Sequence, residues 1–138
     1  KRNKFDINQF TNIEGKTAIY LQYTRVRIKS ILDSQEFVKY STNTSEEDFV
    51  DSETSLLISI LKFSDIFNRS KKLKEPHHLA EYAYNLSSAF NSFYSNNKIF
   101  SEDISEQTKL KRIYLVEKFY KTLIDIFNCL GIEPVKKM

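Results

Sequence analysis

A chain of 138 residues with 41% apolar and 14% aromatic content is long enough for one domain around a single hydrophobic core, which sets disorder aside. Twenty-one Lys and Arg against 18 Asp and Glu leave a net charge of +3, too little by itself to argue for a polyanionic partner. No apolar run approaches bilayer length, and the two glycines and two prolines, with no Asn-Gly or Asp-Gly turn, exclude a hairpin-rich sheet and predict an all-α fold.

The chain opens at Lys1 without an initiator methionine and with charged and polar residues rather than a leader, as expected of a piece of a longer polypeptide. Residues 1–16 read as an extended lead-in, with Phe5, Ile7, Phe10 and Ile13 as anchors and Gly15 as a break. A first helix is predicted from Thr17 to Lys39. At about 100° per residue it carries Tyr20, Tyr23 and Arg27 on one stripe and Leu21, Ile28 and Leu32 on another. Ser41 to Ser45 forms a polar loop. The acids crowded from Glu46 to Glu53 suit the amino end of a second helix, whose Leu56, Ile60, Phe63 and Phe67 share one face, with a break near Ser64.

Pro76 fits the first turn of a third helix with Leu79, Ala83, Leu86, Phe90 and Phe93 inward. A polar loop from Ser95 to about Glu102 follows, and Asp103 with Glu106 reads as a capping pair for the last helix. Ile113, Val116, Tyr120, Leu123, Phe127 and Leu130 line that helix, Gly131 ends it in a left-handed conformation, and Pro134 blocks its continuation. The expectation is an antiparallel bundle of four to five helices. Cys129, alone and within an apolar helical pattern, reads as a buried structural thiol in a reducing compartment.

The constellations that carry chemistry are few. His77 and His78 are adjacent, so they diverge on a helix, and no Cys or third His completes a metal site; they read as surface residues, and no metal is expected. No glycine-rich phosphate loop, nucleophile elbow or paired thiol occurs, which argues against hydrolysis or phosphoryl transfer by these residues. Basic clusters stand at Arg25 to Lys29, Lys71 to Lys74, Lys109 to Arg112 and Lys136 to Lys137. Tyr20, Tyr23, Gln22, Arg25 and Arg27 are residue types that read unpaired RNA bases by stacking and hydrogen bonding, although tyrosines at helical spacing also build cores. The residues alone leave both readings open.

The stretch EGKTAIYLQYTRVRI at 14–28 resembles the start of the anticodon-binding domain of arginyl-tRNA synthetases. EPHHLAEY at 75–82 with LSSAFNSFY at 86–94 resembles that family's next helix, LGIEPVKKM at 130–138 its carboxyl terminus, and FDINQF at 5–10 the segment joining it to the catalytic core. The resemblance implies a DALR-type all-α bundle of a class I aminoacyl-tRNA synthetase, with residues 1–16 as linker from the catalytic core and 17–138 as the binding domain. It implies a fragment that binds the anticodon stem-loop of tRNA(Arg) without catalysing, since the His-Ile-Gly-His and Lys-Met-Ser-Lys-Ser types of motif are absent. The parent would be a cytoplasmic, non-membrane arginine-tRNA ligase using ATP with Mg, and the catalytic domain would be this domain's neighbour.

By motif position, Tyr20, Tyr23, Arg27, Tyr94 and Met138 correspond to family residues that shape or contact the anticodon loop, with Tyr20 packed partly against the carboxyl terminus. Gln22 joins them as a candidate base reader, and Arg25, Lys109, Lys111 and Arg112 are candidate phosphate contacts. Ile19 departs from a frequent proline, Thr24 and Arg25 from Ala-His or Ala-Tyr, and Lys136 and Lys137 from Glu-Arg. Every arginine codon has guanine in the middle, so each matching anticodon has cytosine at its centre, the base worth reading directly. The last anticodon base varies between guanine and uracil, so stacking from Tyr20, Tyr94 or Met138 would tolerate both. The alternatives are a helical protein-interaction module and the related bundle of another class I synthetase, such as the cysteine or methionine enzyme.

Overall fold

The computed structural model describes residues 2–34, 48–72 and 75–135, with side chains from residue 15 onward. Among the described residues it contains four helices and no strand: α1 (Arg2–Leu32), α2 (Asp51–Arg69), α3 (Pro76–Asn96) and α4 (Glu106–Leu130). None of them is long and apolar enough to cross a membrane.

The layout follows from which ends meet. Ser52, at the start of α2, bonds Asn97, just past the end of α3, while Phe63 packs on Tyr82 near the start of α3, so α2 and α3 run antiparallel. Arg112, early in α4, reaches the Lys98 carbonyl beyond α3, so α3 and α4 are antiparallel too. Both α3 and α4 pack against α1 and against α2, which makes them the central pair of the bundle.

The core is built from residues at three- and four-residue spacing, as the periodicity requires. Leu21 and Ile28 of α1, Leu56, Ile60 and Phe63 of α2, Leu79, Ala83, Leu86, Phe90 and Phe93 of α3, and Ile113, Val116, Leu123 and Phe127 of α4 are all buried. At its centre Phe90 and Phe119 stack with centroids 4.6 Å apart and planes 7° from parallel. Offset stacking of this kind adds about 0.5–1.5 kcal/mol to the area each ring removes from water.

Pro76 opens α3 at its first helical positions, and Gly131 closes α4 at φ 72°, in the left-handed region, as predicted. Other boundaries differ. The extended lead-in is replaced by helix from Arg2, and Gly15 lies inside α1; helical hydrogen bonding tolerates an interior glycine at a cost of about 1 kcal/mol relative to alanine. The helix ends at Leu32, earlier than Lys39, and residues 35–47, including the predicted loop and Glu46, lie outside the described residues. α2 begins at Asp51, where the Glu53 carboxylate accepts from the Val50 N–H at 2.9 Å, and it continues through Ser64 without a break. The α4 cap is Ser105, whose hydroxyl accepts from the Thr108 N–H at 3.0 Å, rather than Asp103. Cys129 is exposed, because it lies about 100–200° round α4 from the buried Phe127 and Leu130.

Candidate nucleic-acid interface

The seam between α1 and α3 gathers the chemistry. Tyr20 and Arg27 lie seven residues apart, two turns of α1, and both meet Asn91 of α3. Arg27 Nη1 donates to Asn91 Oδ1 at 2.9 Å. Asn91 Nδ2 donates to the Tyr20 hydroxyl at 2.9 Å and to Thr24 Oγ1 at 3.1 Å. The Arg27 guanidinium carbon stands 4.6 Å from the Tyr94 ring centroid, a cation–π contact. Tyr94 is stacked on Phe90, with centroids 6.1 Å apart and planes 8° from parallel, so this part of the site is braced by the core stack. Tyr20 packs its ring on Tyr84 at 4.9 Å, and the terminal residues 136–138, against which its packing is expected, lie outside the described residues. Tyr23 points outward with half its surface exposed, next to exposed Ile19, and exposed Lys16 precedes Tyr20 by one turn.

The carboxyl-terminal segment is held by the other two polar residues of α1. Gln22 Nε2 donates to the Glu133 carbonyl at 2.9 Å, and its Oε1 accepts from the Val135 N–H at 3.0 Å. Arg25, buried to 6% exposure, donates to the Tyr120 hydroxyl at 3.2 Å and to the Val135 carbonyl. Gln22 and Arg25 thus hold residues 133–135 against the side of α1 that faces away from Tyr20 and Arg27. Met138 lies outside the described residues.

The basic cluster of α4 faces inward. Lys111 and Arg112 lie 3.0 Å and 2.8 Å from the carboxylate of Glu53, which is fully buried, and Lys111 also donates to the Asp48 carbonyl. Burial alone raises the Glu53 carboxyl, but hydrogen bonds from Arg112, the Val50 N–H and Lys111 outweigh it and leave the group below its ordinary value. Lys111 and Arg112 are thereby committed to a buried ion pair, and Lys109 is half-buried with interactions of its own.

His77 and His78 do not diverge as adjacency suggests. With Glu81 they place one ligand atom each within 4.8 Å of one another, because Glu81 lies one turn beyond His77 and the imidazoles span the remaining angle. The donors sit on the first turns of α3, with His77 and Glu81 exposed, His78 half-buried and Glu75 3.7 Å from His78.

The geometry brings Tyr20, Arg27 and Tyr94 together and leaves Tyr23 beside them. Asn91, Thr24 and Tyr84 are the members that the sequence reading missed. Of these, Asn91 carried a readable signal, since it falls three residues before Tyr94 and hence on the same helical stripe.

A family model described as the DALR anticodon binding domain matches residues 21–138. The chain belongs to that family. Its similarity extends to the arginine–tRNA ligase of Francisella tularensis subsp. novicida, 34% identical over 140 residues and 97% of this chain. The arginine–tRNA ligase of Agathobacter rectalis is 33% identical over 90% of the chain, and that of Buchnera aphidicola subsp. Cinara cedri 33% over 97%. The chain spans 22–24% of the length of these relatives, about a quarter. The all-helical DALR fold and the arginine-specific relatives agree with the resemblance carried by residues 14–28, and they favour it over a protein-interaction module.

Proposed function

We propose that this DALR domain binds the anticodon loop of tRNA(Arg) at the α1–α3 seam and serves an arginine–tRNA ligase of which it is one part. The observation that carries the reading is the grouping of Tyr20, Arg27 and Tyr94 around Asn91, which sets aromatic faces and a guanidinium together where unpaired bases can stack and be hydrogen-bonded. Lys16 and Tyr23, exposed on the same side of α1, extend the surface toward a phosphate and a base face. Residues 1–16 lead toward the catalytic portion, and 17–138 form the binding unit. ATP and Mg act in that catalytic portion, in a cytoplasmic enzyme; the described residues offer no glycine-rich loop that would cradle a nucleotide phosphate.

The test is a titration of the 138-residue chain with an arginine anticodon stem-loop, and with one whose central cytosine is replaced by uracil. Tighter binding to the first, weakening steeply as salt rises, supports the reading. Equal affinity for both would remove the claim of base readout, and salt-independent binding would remove the phosphate contribution.

A further inference from the structure

Asn91 does more than tie α1 to α3. A guanidinium can only donate hydrogen bonds, so the contact with Arg27 fixes the amide with its oxygen toward Arg27 and its nitrogen toward Tyr20 and Thr24. Both N–H bonds of that nitrogen then fall on hydroxyl lone pairs. Tyr20 therefore receives at its oxygen, and its own proton is turned away from Asn91. No described residue accepts that proton, and, apart from the stacking of the guanidinium on Tyr94, none hydrogen-bonds Arg27 Nε or Nη2. One amide thus leaves Tyr20 and Arg27 presenting donors, O–H from one and N–H from the other.

We infer that Asn91 is a specificity-determining positioning residue, which makes this edge of the site donor-only so that it takes a base offering neighbouring acceptors. This rests on the RNA-binding reading above. Cytosine meets the requirement with O2 and N3, both acceptors. Uracil keeps O2 but carries a hydrogen on N3, so a donor would face a donor and a buried polar group would lose its partner, a mismatch that discriminates far more strongly than shape. Asn91 touches neither base; it decides which way the groups that do are protonated and turned.

Replacing Asn91 by Asp inverts the logic with almost no change in shape. A carboxylate accepts from Arg27 and from both hydroxyls, so the Tyr20 proton turns inward and its lone pairs face the ligand. The added negative charge weakens both RNAs alike, and the informative quantity is the ratio of their affinities. The experiment measures binding of the cytosine and uracil stem-loops to wild type, Asn91→Asp, Tyr20→Phe and the double variant, with a thermal midpoint for each. The expected result is a wild-type preference for cytosine of about tenfold or more. That preference falls by at least about fivefold in each single variant and no further in the double, while the midpoints stay within a few degrees. A side chain with a merely structural role would lower the midpoint and leave the ratio alone.

A selective wild type whose preference survives in either folded single variant overturns the role of Asn91 while leaving the RNA-binding reading intact. A wild type with no preference overturns the reading of the central base and the inference with it. If Asn91→Asp does not fold, Tyr20→Phe decides, since it deletes the same outward proton and leaves the ring on Tyr84.

Discussion

Glu53 of α2 and Arg112 of α4 meet at 2.8 Å, the carboxylate wholly inside the bundle and the guanidinium at its margin, with Lys111 closing on the same carboxylate at 3.0 Å. Two cations and one buried anion hold the first turn of α2 to the second turn of α4. Removing the anion leaves both cations without their partner, so Glu53→Gln should destabilise the chain by roughly 3–5 kcal/mol, read from chemical denaturation.

The same pair sets a pH dependence. Glu53 has its folded-state carboxyl below the ordinary 4.5, so the folded chain holds the proton less tightly than the unfolded one. Its contribution is complete above the ordinary value and is lost as pH falls through 4.5 toward the lower folded value. Unfolding midpoints measured from pH 7 downward should drop across that window in wild type, and the drop should be smaller in Glu53→Gln.

The two glycines should respond to alanine with opposite signs. At Gly15, inside α1, an added Cβ meets nothing within 4 Å, so Gly15→Ala should stabilise by about 0.5–1 kcal/mol through helix propensity. At Gly131 there is also space, but φ is 72°, and Gly131→Ala should cost about 1–2 kcal/mol from backbone conformation alone. Urea denaturation of the two variants separates the effects.

Arg27 is half-buried and stands over Tyr94 without being part of the packed core. Arg27→Ala should weaken stem-loop binding by roughly 1–3 kcal/mol and flatten its salt dependence, with a thermal midpoint close to wild type. A large loss of midpoint would show that the contact serves the fold instead.

Sequence periodicity reports which residues face a core, because burial recurs at the helical period whatever covers it. Hence Leu79 through Phe93 on α3 and Ile113 through Phe127 on α4 were legible, as were Pro76 and Gly131, whose backbones admit few alternatives. What covers a polar residue has no period. Nothing around Lys111 and Arg112 announces a buried carboxylate some 59 residues earlier, and nothing at Gln22 or Arg25 announces the carbonyls of Glu133 and Val135. Asn91 was readable as a position but not as a hub, since its meaning depends on two side chains of another helix. Cys129 misled because an apolar neighbourhood in sequence spans every side of a helix.

The grip of Gln22 and Arg25 on residues 133–135 also bears on the order of folding. Gln22 and Val135 are separated by 113 positions, and closing a loop of that length in a loose chain costs about 4 kcal/mol plus a constant. Three hydrogen bonds, each with a net worth of about 1 kcal/mol, do not repay that. The segment docks only after α1 and α4 have been brought together by their apolar faces, so protection of the Val135 amide from solvent exchange serves as a signal that the rest of the bundle is complete.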